Sequence, residues 1–132
     1  MKNVFKVSAV LLLLCVIASV SSAEMISPMY IGIGDIRATL IIKSGQASCE
    51  GTVTLNSTSY KADVTTTLQK KNGSSWTYVD SWSKSGSIHV AAGGSATIIQ
   101  NNTYRVKVSV TVKDLSGNVV ETETAYSPIK TY

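Results

Sequence analysis

The stretch Tyr104-Arg105-Val106-Lys107-Val108-Ser109-Val110-Thr111-Val112-Lys113 decides the fold class. Tyr104, Val106, Val108, Val110 and Val112 alternate with polar residues throughout, a period of two that sets an apolar face against a hydrated one. Valine and threonine dominate, and their branched side chains suit a pleated, half-buried surface. The stretch turns at Leu115-Ser116-Gly117 into a second run, Asn118 to Tyr126. With Gly117 left-handed in a three-residue loop, Asp114 faces Asn118. Val112 then opposes Val120, Val110 opposes Thr122 and Val108 opposes Thr124, on the face that holds Tyr104 and Tyr126. The other face collects Lys107, Lys113, Glu121 and Glu123, with lysines and acids on cross-strand diagonals. Such a pair has one side for burial and one for water.

Working outward, the same period recurs. Strands are expected at Ile36–Ile42, Ala47–Leu55, Ala62–Lys70 and Ser75–Lys84, with Asn72-Gly73 as the strongest hairpin signal. Ile88–Ala92 and Ala96–Ile99 flank Gly93-Gly94 as one bent strand or two short ones. About seven short strands, with turns every eight to twelve residues or so and almost no helical periodicity, predict a single antiparallel β-sandwich.

The chain has 132 residues and a formal charge of +4. Residues 1–23 read as a signal peptide: Lys2 and Lys6, then an apolar stretch with Leu11-Leu12-Leu13-Leu14, then Ser21-Ser22-Ala23. The apolar stretch falls short of the roughly 20 residues of a membrane span. Secretion with cleavage after Ala23 is therefore expected, leaving no membrane anchor. The domain would occupy 24–132, with 24–35 as a loose arm or an added edge strand. Removing two lysines leaves ten basic residues against eight acids, a charge of +2. So small a net charge argues against nucleic acid as a partner. Cys15 leaves with the leader, so the mature chain has no internal disulfide, and Cys49 reads as a small core residue on the apolar face of its strand.

Ile98-Ile99-Gln100-Asn101-Asn102-Thr103-Tyr104 resembles the corner before strand F of fibronectin type III and immunoglobulin-like domains. The resemblance implies a buried Tyr104 whose hydroxyl bonds back across the loop, with Ile98 ending the preceding strand. The immunoglobulin cysteine position, two residues after that tyrosine, is Val106. The mature chain also resembles an uncharacterised family of small secreted proteins of Gram-positive bacteria. That resemblance rests on Leu68-Gln69-Lys70-Lys71-Asn72-Gly73-Ser74-Ser75-Trp76, Trp82, Tyr104-Arg105-Val106 and Gly117-Asn118-Val119-Val120-Glu121-Thr122. It implies export and an all-β fold, and it carries no catalytic residues.

The residues offer little to catalysis. His89 is the single histidine, and no serine lies in a nucleophile-elbow motif. One histidine and one mature cysteine are too few for a zinc site. Asp114-Leu115-Ser116-Gly117-Asn118 faintly echoes a calcium loop but reads as a hairpin turn. Glu121 and Glu123 read as a solvated charge ladder rather than a glycosidase pair. No enzyme activity, metal or cofactor is expected. Asn56, Asn72 and Asn101 each begin a glycosylation pattern, which matters only in a host that glycosylates exported proteins.

The aromatic strand is the functional clue. Trp76, Tyr78 and Trp82 lie at even spacing on one face, with Asp80 and Lys84. If that face is the core face, the tryptophans are sandwich core. If Asn72-Gly73 makes a two-residue turn, Val79 faces inward, and the aromatics form an exposed platform beside Gln69 and Thr67 for a glycan or protein partner. One residue of register separates the two. The expected function is a secreted binding module using Trp76, Tyr78, Trp82 and Gln69. The alternatives are a self-associating extracellular protein that pairs through sheet edges, and a secreted toxin or inhibitor.

Overall fold

The computed structural model describes residues 30–132. The leader, Cys15 and the first part of the 24–35 arm lie outside the described residues. Eight strands follow in order: β1 (Ile33–Lys43), β2 (Gln46–Leu55), β3 (Tyr60–Asn72), β4 (Ser75–Gly86), β5 (His89–Thr97), β6 (Thr103–Asp114), β7 (Val119–Tyr126) and the short β8 (Lys130–Thr131). They form two antiparallel sheets packed face to face. One has the order β1-β2-β5 and the other β4-β3-β6-β7, with β8 pairing the start of β6. Lettered as in immunoglobulin domains, these are an A-B-E sheet and a C-F-G sheet with an extra strand beside C. The fold is thus the all-β sandwich that the alternation predicts. β5 runs unbroken through Gly93-Gly94 as one strand.

The alternation also places the core. Val106, Val108, Val110 and Val112 are at most 1% exposed, and each such burial contributes about 1.5–3 kcal/mol relative to exposure. They meet Ala62, Val64, Thr66 and Leu68 of β3, and Ala47, Cys49, Val53 and Leu55 of β2. Thr66 is the one buried hydroxyl in this layer, and it is satisfied across the sandwich. Its Oγ1 donates to the Ala92 carbonyl at 2.7 Å, so a polar group that would otherwise cost free energy ties the sheets together. Gly51 makes room for it, since a Cβ there would collide with Thr66 Oγ1 and Val108. Cys49 is a buried free thiol whose pKa is pushed up to about 11, first by burial and then by the charge of Asp80.

The corner before β6 forms as the resemblance implies. Tyr104 is 2% exposed and Ile98 6%. The Tyr104 hydroxyl donates to the Ile99 carbonyl and accepts from the Ile99 N–H, both at 3.1 Å. Asn101, at φ 64°, supplies the left-handed turn of the loop.

The last hairpin departs from expectation. Gly117 takes φ 89°, and Asp114 N–H does donate to the Asn118 carbonyl. A bulge follows: Lys113 pairs with Val119, but Val112 pairs with Glu121, Val110 with Glu123 and Val108 with Ala125. Val120 is the extra residue, and it inverts the faces of everything after it. Glu121 and Glu123 therefore leave the solvent face, and the expected charge ladder does not form. Lys113 instead pairs with Asp63 at 2.9 Å. Glu121 Oε2 accepts the backbone N–H groups of Ile31 and Gly32 at 2.7 and 2.8 Å. That contact and the packing of Tyr30 hold the described part of the arm against the sandwich, and Ile33–Asp35 open edge strand β1.

Replacing Tyr104 with Phe removes both corner bonds and leaves two backbone groups of Ile99 without that partner. We expect a loss of about 1–3 kcal/mol, seen as a lower urea midpoint with an unchanged slope. A midpoint equal to the parent's would show that the corner does not hold the sheets.

Candidate aromatic binding face

Strand β4 does not keep one register along its length. From the turn, Lys71 pairs with Trp76, Lys70 with Thr77 and Gln69 with Tyr78; beyond that, Leu68 pairs with Asp80 and Thr66 with Trp82. Val79 is the extra residue, partly buried against the core. Before the bulge the aromatics share the face of Gln69 and Lys71, which is the outer one because Leu68 points inward. After it the parity is reversed. The expectation of one aromatic face is corrected accordingly. Trp76 and Tyr78 stand on the outer face with Gln69, while Trp82 turns inward.

Trp82 closes the open side of the sandwich between β4 and β5. Its indole rests on Gly94, where a Cβ would collide with Nε1, Cε2 and Cδ1. It is half-buried and packs against the core. Asp80 shares this side, which is why its charge reaches Cys49. Glycine at position 94 is thus what lets a large ring enter a narrow edge.

On the outer face the sheet assembles a site from four strands. Arg105 of β6 lies opposite Gln69 of β3, and its Nε donates to Gln69 Oε1 at 2.8 Å. The guanidinium is stacked between two rings, 4.2 Å from the Trp76 centroid and 4.3 Å from that of Tyr126. Each contact is a cation–π interaction of about 0.5–1 kcal/mol or more. Tyr126 reaches this face only because the Val120 bulge inverted β7. Tyr78 stands beside the stack, 67% exposed, with its hydroxyl 3.4 Å from Ser81 Oγ. Lys71 and Lys107 flank it on the outer sides of β3 and β6. The expected register places Tyr126 on the apolar face with Tyr104, which the bulge overturns, and it gives Arg105 no part in the site. Arg105 sits on the polar side of the plainest strand, but its neighbours come from β4 and β7, whose bulges leave no mark in the hydrophobic pattern.

The remaining candidates hold no comparable grouping. His89 Nδ1 lies 3.2 Å from Thr54 Oγ1 at an exposed cross-strand position. Among the described residues, no three or more His, Cys, Asp or Glu side chains gather where they could hold a metal ion. The Asp114 carboxylate accepts from the N–H groups of Ser116 and Asn118, both at 2.9 Å, closing the hairpin turn. These bonds, that of Asn118 foremost, hold its pKa below the usual range. On the opposite sheet an open groove of about 510 Å³ runs between Ile41, Glu50 and Gly93. It has neither an aromatic nor a cationic side chain. No protein-family model matches the chain, and no curated protein matches it in sequence.

The division of the tryptophans can be read by fluorescence. With Trp82 replaced by Phe, Arg105→Ala is expected to shift Trp76 emission to longer wavelength and raise its quenching by acrylamide. With Trp76 replaced by Phe, the same change is expected to leave Trp82 emission unaltered. Equal responses would mean that the two indoles share a face.

Proposed function

We propose that this chain is an exported, non-catalytic β-sandwich that binds a glycan through the outer face of its four-stranded sheet. The observation that carries this reading is the Trp76–Arg105–Tyr126 stack beside the exposed ring of Tyr78. A guanidinium clamped by two rings and a glutamine is pre-organised, so little entropy is lost when its free edge meets a ligand. An exposed flat ring next to fixed donors suits the alternating apolar and hydroxylated surfaces of a sugar.

The rest of the face favours a glycan over a protein. Beyond the stack the outer positions include Thr65, Thr67, Ser81, Ser83, Ser109, Thr111, Thr122 and Thr124. They form a hydroxyl-rich track without the apolar centre that stable protein interfaces bury. Edge pairing between copies is less well supported. β4 is bulged at Val79, and the opposite edge is bulged at Val120 and interrupted at Ser127-Pro128 between β7 and β8. Such irregularities blunt a sheet edge. Export rests on the pattern of residues 1–23.

The test is binding to a panel of neutral and charged polysaccharides, with Tyr78→Ala as the variant. Tyr78 is exposed, so its removal should leave the urea midpoint near the parent value. Affinity for the bound glycan should fall about tenfold, equivalent to ~1.4 kcal/mol. No binding to any member, or undiminished binding by Tyr78→Ala, would overturn the reading.

A further inference from the structure

From the distribution of charge around the stack, we infer that the glycan is anionic, a sugar chain bearing carboxylate or sulfate-like oxyanions, held at the outer edge of Arg105. This deepens the reading above and rests on it.

The Arg105 guanidinium has three places to interact, and two are taken. Its faces are covered by Trp76 and Tyr126, and its Nε–H is given to Gln69. Among the described residues, no acceptor engages its terminal nitrogens, and the two salt bridges, Arg37–Asp35 and Lys113–Asp63, lie elsewhere. What remains is a planar fork of N–H donors, fixed in orientation, the geometry that meets a carboxylate or sulfate in two parallel bonds. Lys71 and Lys107 share this face and have no acidic partner among the described residues.

Among the described residues, the acids are arranged so that none neutralises this end of the sheet. Asp35 and Glu50 belong to the opposite sheet. Asp80 follows the Val79 bulge and faces inward opposite Leu68, and the Val120 bulge turns Glu121 and Glu123 inward. Asp63 and Asp114 remain, near the far end of β3 and β6. Asp63 is six residues from Gln69 along β3, about 20 Å, more than twice the ~8 Å screening length at physiological salt. The mature chain is close to neutral overall, yet among the described residues this end presents three cations around an aromatic stack and no acidic side chain. The same two bulges that gather the aromatics also remove the carboxylates.

Three polymers on one backbone test the inference: dextran, carboxymethyl-dextran and dextran sulfate, with polyglutamate as a polyanion lacking sugar. The intact protein is expected to bind at least one charged dextran about tenfold or more tighter than dextran. That preference should weaken as sodium chloride is raised, as attraction between exposed charges must. Arg105→Gln, and separately the exposed Lys71→Gln, should reduce the preference. Lys71→Gln removes no packed group, so its effect is read free of stability. A better fit to carboxymethyl-dextran or to dextran sulfate identifies the oxyanion. Equal affinity for dextran and its charged forms overturns the inference and leaves glycan binding standing. Polyglutamate binding as tight as that of the charged dextrans overturns it in favour of simple charge attraction. Binding to none of the panel's glycans removes both readings.

Discussion

Side chains on a strand point alternately to the two faces of its sheet, and a strand cannot rotate one residue without rotating all that follow. An inserted residue is therefore a face switch. In β4 that residue is Val79, lying between the Gln69–Tyr78 and Leu68–Asp80 pairs. Without it, Trp76 and Trp82 would stand on one side and be either both core or both surface. With it, one strand closes the sandwich edge with Trp82 on Gly94 and offers Trp76 to the outer face. The core and the candidate site thus depend on the same local irregularity.

A second insertion, Val120, acts in the same way on the far strand. It carries Tyr126 outward and Glu121 and Glu123 inward. The straight, strictly alternating β6 lies between the two bulged strands and supplies Arg105 at the point where their rings converge. The centre of the sheet holds the buried valines and the tyrosine corner, while the flanking strands bring their rings to Arg105 through their departures from regularity. Bulges also twist exposed edges away from further pairing.

Much of this was legible in the residues. The valine alternation of β6, the apolar side of β2 with Cys49 on it, the Gly117 turn and the Ile98–Tyr104 corner are all local patterns, and each leads to the structure observed. The site was legible only in part. Trp76, Tyr78 and Gln69 do meet on one face, but the hairpin loop is Gly73-Ser74 rather than the expected Asn72-Gly73, with Asn72 pairing Ser75, a shift that changes the partners and keeps the parity. Trp82 does not join them, and Arg105 and Tyr126 do. The reason is physical. Alternation within a strand is written in its own residues, whereas a bulge is settled by what each face must pack against on the neighbouring strands. Val79 and Val120 are ordinary strand residues, and nothing in their identity marks them as unpaired.

The most direct measurement is a set of nuclear Overhauser contacts from the two indole rings in solution. The account predicts contacts from the Trp82 ring to the α-protons of Gly94, and from the Trp76 ring to the side-chain methylenes of Arg105, with neither ring sharing the other's partners. Contacts from both indoles to Arg105, or from both to the β5 glycines, would contradict the face switch at Val79 and with it the site built upon it.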